Sequence, residues 1–286
     1  MKSKEFIALL KQSFTDWNDD NAPRLGAALA FYTILSISPL VIFVVSIISL
    51  VFDRARAQAH LLSQIQTLAG TDGRNAVQAM LASGQKASAG IFATIIGLVT
   101  LLFGASGVFN ELRSALNLIW EADPKKSAGL WGMLRERIFS LGMVFSVGFV
   151  LLVSLLASAG LAATAKFFNG LLPIPSLVLG IFNFLVSFIG IAVLFALIFK
   201  YVPEVKVTWK DVRLGALVTA LFFTIGKSLL GLYFGKASPG SAYGAAGSLV
   251  VGVVWVYYSA QIFFFGAEFT HVYSAAKRLN AAAAAQ

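Results

Sequence analysis

A chain of 286 residues is long enough for one or two water-soluble domains, yet 58% of it is apolar and only 12% charged. Ordinary globular proteins carry roughly 45–50% apolar and about 25% charged residues, so this composition excludes a soluble fold and points to lipid as the main solvent. Cysteine is absent, which removes disulfides, thiol nucleophiles and thiolate metal sites. The net charge of +9 would suit a nucleic-acid partner in a soluble chain; in a membrane chain it asks first where the basic residues lie.

In chain order, Phe6, Leu9, Leu10, Phe14 and Trp17 recur near helical spacing. This predicts an amphipathic helix over residues 1–23, lying on the inner membrane surface. The first apolar run starts late and is too long for a cleavable signal peptide, so it reads as a signal anchor. A span needs about 20 mostly apolar residues. Stretches free of charge, or nearly so, give six spans at about residues 25–52, 88–110, 138–165, 176–199, 214–235 and 244–268. Pro173-Ile174-Pro175 marks a turn between the third and fourth, and Pro239-Gly240 a loop before the sixth. No stretch alternates with period two, so helices satisfy the backbone in lipid.

Between the first two spans, Leu61, Leu62, Ile65 and Leu68, then Val77, Met80 and Leu81, predict an external helical hairpin over 55–86, its two arms separated by Gly70 and Gly73. The apolar face of the second span carries on through Leu112, Leu116 and Ile119 to a stop at Asp123-Pro124. Residues 276–286 form a tail ending in an alanine run. The expected fold is therefore an all-α, polytopic transmembrane bundle with interfacial amphipathic helices.

The distribution of Lys and Arg sets the orientation. The N-terminal segment, the loops after the second and fourth spans, and the tail together hold fifteen basic residues, against six on the other side. Both termini are thus expected in the cytoplasm. The net charge is a topology signal, with attraction to anionic lipid as its further consequence.

Ionisable and polar residues inside apolar spans are expensive and are candidate functional positions. Lys227 lies 13 residues after Leu214, roughly 20 Å along a helix rising about 1.5 Å per residue, in the outer half of its span. It either faces a cavity and an anionic group or snorkels to the outer interface. Gln261 and Glu268 come late in the sixth span, and Arg24 opens the first, so a Glu268–Arg24 pair is one arrangement and plain helix-end charges the other. Asp20 belongs to a polar cluster before the first span, where Asn21 is a candidate N-cap with Pro23 behind it. Pro39 is expected to kink the first span. Gly244, Ser248 and Gly252, four apart, allow close approach of a neighbouring helix.

Enzyme signals are poor. His60 and His271 are expected on opposite sides, no Ser-His-Asp set is evident, and no phosphate-cradling Gly-Lys-Ser/Thr loop is present. No cofactor, metal site or nucleic-acid partner is expected. Arg-Leu-Gly-Ala occurs at Arg24–Ala27 and again at Arg213–Ala216, too short a repeat to outweigh chance.

Several segments together resemble the YihY/BrkB family of bacterial inner-membrane proteins: Asp20 to Leu40 (DNAPRLGAALAFYTILSISPL), Asn110–Trp120 (NELRSALNLIW), Lys200–Pro203 with Trp209 and Gly215-Ala216, and Tyr243 to Phe269. The resemblance covers roughly residues 15 to 275. It implies six helices and a place in the inner membrane. Some members are linked to serum resistance and virulence, others to envelope lipid export, and an older ribonuclease label is regarded as mistaken. Asp20, Arg24, Pro39, Asn110, Trp120, Pro203, Gly244, Trp255 and Glu268 match motif positions, without an implied ligand. The expected function is a transporter or flippase for an amphipathic or anionic envelope molecule, with membrane lipids as partners. Asp20, Arg24, Pro39, Asn110, Lys227, Gln261 and Glu268 are its candidate cavity or gating residues. A membrane scaffold in envelope assembly is the alternative, and a membrane ribonuclease using Asp16, Asp19 and Asp20 a remote one.

Overall fold

The computed structural model describes residues 3–48, 53–87, 91–122, 176–205, 207–237, 243 and 247–283. Among these residues the regular structure is all helical: α1 (Ser3–Asp19), α2 (Ala22–Ile48), α3 (Arg54–Ala87), α4 (Ile91–Ile119), α5 (Ser176–Tyr201), α6 (Trp209–Ala237) and α7 (Gly247–Ala283). The span expected over 138–165, the turn at 173–175 and the loop at Pro239-Gly240 lie outside the described residues.

Helices α6 and α7 contain stretches long and apolar enough to cross a membrane, Trp209–Phe234 and Leu249–Leu279, and α5 contains a shorter apolar stretch, Ser187–Tyr201. Their outward faces are apolar too. Leu217, Leu221, Ile225, Leu229 and Leu232 form an exposed stripe on α6, and Ile181, Phe184, Leu185, Ile189 and Val193 one on α5. Helices apolar all round belong in lipid, and in water such stripes would be sticky surfaces.

Lipid tails are as apolar as leucine, so helices in a membrane associate through close packing rather than through hydrophobic burial. The contacts follow that rule. A side chain at Gly215 of α6 would meet Thr270 of α7, and one at Gly266 of α7 would meet Thr219 of α6. Each threonine hydroxyl donates to the carbonyl of the glycine four residues before it, Thr219 to Gly215 and Thr270 to Gly266, both at 2.7 Å. The result is a reciprocal, antiparallel pair of Gly-xxx-Thr notches. Gly104 and Gly107 of α4 receive Ser36 and Tyr32 of α2, again antiparallel. The stripe expected to do this work, Gly244-Ser248-Gly252, contributes one ordinary contact among the described residues, Gly252 with Ile34.

The core gathers at one end of the bundle. It joins Ala22 and Leu25 of α2, Leu116, Ile119 and Trp120 at the end of α4, Phe195 and Phe199 of α5, Val202 and Val207 of the following turn, Val212 and Ala216 of α6, and Phe263 and Phe264 of α7. Phe199 lies 5.2 Å from Phe263 and 5.9 Å from Trp120, ring to ring. Polar links lock the same end. Arg113 of α4 pairs with Glu204, whose backbone N–H donates to Asn117 Oδ1 at 2.9 Å. Lys200 donates to the Val207 carbonyl, and Lys277 of α7 pairs with Asp211 of α6 at 3.0 Å. The end of α1, the start of α2, the end of α4, the α5–α6 turn and the end of α7 thus share one pole. Those are the segments in which the sequence concentrates Lys and Arg.

Several elements differ from expectation. Helical structure continues through Gly70 and Gly73, where a break was expected. Leu61, Leu62 and Ile65 nevertheless pack against Val77 and Leu81. Residues that far apart could not touch in a straight helix rising about 1.5 Å per residue, so α3 folds back between Ile65 and Val77. Helix α1 is not simply laid on a surface: its Ser13 is buried, and Phe6 meets Phe269 of α7 edge-on at 5.8 Å. Helix α7 continues to Ala283, taking in most of the expected tail. Helix α4 does extend past its apolar run to Ile119 as expected. It ends with Glu121 in the left-handed region, the Ala122 N–H bonding the Asn117 carbonyl and the Glu121 N–H that of Leu118, the Schellman arrangement.

Candidate functional site

The corner between α1 and α2 begins with Asn21, held at φ 55°. Asparagine tolerates this left-handed conformation better than other residues with a Cβ. The Asn21 carbonyl accepts from the Arg24 and Leu25 N–H groups and so opens α2. Its side chain does not reach forward as an N-cap would; the amide donates back to the Asp19 carbonyl at 3.1 Å. One residue serves as stop for α1 and start for α2, because a left-handed residue reverses the chain sharply enough to bring the new helix back along the bundle. Asp20, just before it, is thereby turned inward onto α7.

There it meets Glu268. The two carboxyl groups are within hydrogen-bonding reach. Glu268 is 1% exposed, and its Oε1 has no partner among the described residues. Asp16 of α1, Glu121 at the end of α4 and His271 of α7 act on the pair electrostatically. Burial pushes the Asp20 carboxyl above its ordinary value. The hydrogen bond from Glu268 works against that rise, Asp16 and Glu121 add to it, and His271 opposes it. Trp120 stands over His271, ring centres 6.2 Å apart.

Seven residues, or about 10 Å, further into the bundle on the same face of α7 lies Gln261. Both polar atoms of its amide are buried without a partner among the described residues. The amide is pressed over Gly26 of α2, where an added Cβ would lie 2.1 Å from Nε2. Helices α2 and α7 run antiparallel, and their facing positions step from Asp20 with Glu268 at the mouth, through Gly26 with Gln261, to Ile34 with Gly252. A polar seam therefore enters the bundle from the charged pole, flanked by apolar core. Unsatisfied polar atoms in such a setting cost about 1–3 kcal/mol each, an expense that folding alone does not require.

The family model described as Virulence factor BrkB matches residues 13–286. This chain belongs to the BrkB family. Similar proteins are described as UPF0761 membrane proteins. One from Actinobacillus pleuropneumoniae is 30% identical over 96% of this chain and 96% of its own length. One from Ralstonia nicotianae is 26% identical over 91% of this chain, and one from Pseudomonas aeruginosa 27% identical over 92%. The match spans only 57% and 61% of those two relatives, which are longer. No solved structure matches this chain. Family membership and the apolar helices together make it a membrane protein with transmembrane helices.

Within this BrkB-family fold the expected site residues are dispersed. Asp20, Gln261 and Glu268 share the α2–α7 seam. Arg24 is exposed one turn into α2 and forms no ion pair among the described residues, so the partner of Glu268 is Asp20 in place of Arg24. The reason is the Asn21 corner, which turns Asp20 inward. Asn110 is exposed on α4. Lys227 is half-buried on α6, continuing the stripe of Ala220 and Phe223. Pro39 lies within α2, which runs on through it, and its side chain lies outside the described residues. The sequence reading did not place His271, Trp120 and Glu121 together. They belong to separate helices, and no spacing rule joins separate helices. No group of three or more His, Cys, Asp or Glu able to hold a metal ion occurs among the described residues.

Proposed function

We propose that this protein is a six-span transporter or flippase of the bacterial inner membrane, without enzymatic activity, that moves an amphipathic or anionic envelope molecule. Both termini then face the cytoplasm, since the pole that collects the N-terminal segment, the α5–α6 turn and the end of α7 carries the excess of Lys and Arg. The observation that carries the reading is the buried seam of Asp20, Glu268 and Gln261. Ionisable groups among membrane helices mark pathways and relays more often than they mark stable packing. Lys227, half-buried toward the other pole, supplies a cation for the anionic head of such a molecule.

The test is transfer of a fluorescent phosphatidylglycerol across vesicles containing the full chain, read by quenching of the outer leaflet. Wild type accelerates exchange over protein-free vesicles, and Gln261→Ala and Lys227→Ala each slow it. Absence of acceleration, with correctly folded protein and a panel of labelled anionic and amphipathic lipids, overturns the reading and leaves an assembly role.

A further inference from the structure

We propose that the Asp20–Glu268 pair is a proton-binding gate that closes the α2–α7 seam when one proton is shared between the two carboxyl groups. The inference deepens the transport reading and rests on it only for its consequence, that the proton is the coupling ion.

Two carboxyl groups within hydrogen-bonding reach need a hydrogen between them, because two ionised ones only repel. Among the described residues no cation pairs with either carboxyl group: Arg24 is exposed and forms no ion pair there, and Asp16 from α1 and Glu121 from α4 add negative charge. His271, on α7 itself, acts on Asp20 in the opposite sense, with Arg278 acting on that histidine in turn. The Glu268 side chain is 1% exposed, and the unpartnered Oε1 leaves it one acceptor short. Among the described residues its polar link is to Asp20.

That link has leverage because of where Asp20 sits. It is the last residue before the left-handed Asn21, so it belongs to the corner on which α1 turns into α2. Loss of the shared proton breaks one O–H bond, passes the proton to water at the charged pole and leaves two carboxylates facing each other. Repulsion then drives the corner off α7. Behind it the next facing position is Gly26 with the unpartnered Gln261 amide, which becomes open to the charged pole. Reprotonation draws the corner back. The seam offers its polar interior only in the deprotonated state, which ties exposure of a site to release of one proton.

The absence of cysteine from the chain makes the test clean. A single cysteine is placed at Ala30, which is 2% exposed one turn beyond Gly26, and in a second variant at exposed Ala27. Labelling by a small, membrane-impermeant maleimide is followed across pH in liposomes holding the full chain. The ratio of the Ala30→Cys rate to the Ala27→Cys rate cancels the thiol's own ionisation. The ratio is expected to rise with pH, by up to about tenfold per pH unit while the pair titrates. Asp20→Asn, which keeps a hydrogen-bond donor toward Glu268 without a titrating proton, holds the ratio low and flat. An infrared protonated-carboxyl band at neutral pH, present in wild type and lost in Asp20→Asn, is the second readout. A flat ratio in wild type, or no such band, overturns the gate. Lipid transfer is scored separately, so transfer with a flat ratio removes the gate and keeps the transporter, and a pH-dependent ratio without transfer does the reverse.

Discussion

Replacing Gly215 by alanine tests the packing that holds α6 to α7. The new Cβ would stand 1.9 Å from Thr270 Oγ1, 2.6 Å from its Cβ and 2.8 Å from its Cγ2. Comfortable carbon contacts lie at about 3.5–4.0 Å, so the helices must part by roughly 1 Å, and a rotamer change cannot relieve the contact with the threonine Cβ. Overpacking of this kind costs about 1–3 kcal/mol. Alanine regains about 1 kcal/mol of helix propensity over glycine, leaving a net loss of up to about 2 kcal/mol. Gly231→Ala in the same helix is the control, since nothing lies within 4 Å of the added atom; it keeps the propensity gain alone. The two variants should therefore differ by the steric cost, about 1–3 kcal/mol. Thr270→Gly removes all three offending atoms and should restore most of the loss in the double variant, which appears as a coupling energy in the cycle. Stability is read by tryptophan fluorescence during detergent-induced unfolding in bicelles. Equal stability of Gly215→Ala and Gly231→Ala, or no rescue by Thr270→Gly, would refute the notch.

Three further outcomes follow. Asp20 binds its proton more tightly in the folded state than in the unfolded one, so its contribution to stability is complete below the ordinary carboxylate value and declines as pH rises through the raised value; Asp20→Asn should flatten that decline in a pH series of unfolding curves, and an unchanged slope counts against the burial of Asp20. The Asp211–Lys277 pair has one partner 43% exposed, so its coupling in a double-mutant cycle should be small, about 0.2–1 kcal/mol, and should weaken with added salt. Single cysteines at Lys4, Lys210 and Lys277 should react from the same side of the membrane in oriented vesicles, because one pole of the bundle holds the three segments; labelling from opposite sides would contradict the shared pole.

Helix type and approximate extent were readable from sequence because lipid imposes one rule on every span: the backbone must satisfy itself, and the side chains must be apolar. That rule is local. It placed a helix at each of α2, α4, α5, α6 and α7, though α7 runs 15 residues past the expected end of its span, and it marked Glu268, Gln261 and Lys227 as anomalies inside apolar runs. The concentration of Lys and Arg in alternate loops is also additive along the chain, and the described segments that carry it meet at one pole.

Which residues face each other was not readable, because it depends on the rotation and register of one helix against another. The notches Gly215–Thr270 and Gly266–Thr219 are two unremarkable Gly-xxx-Thr strings until α6 and α7 lie antiparallel. On paper Glu268 either pairs with Arg24 or is a plain helix-end charge; the left-handed turn at Asn21 brings a third answer by turning Asp20 inward and leaving Arg24 exposed. Hydrophobicity settles where a chain meets lipid one residue at a time, whereas the choice of partners across helices is a property of three-dimensional fit, and only the folded molecule contains it.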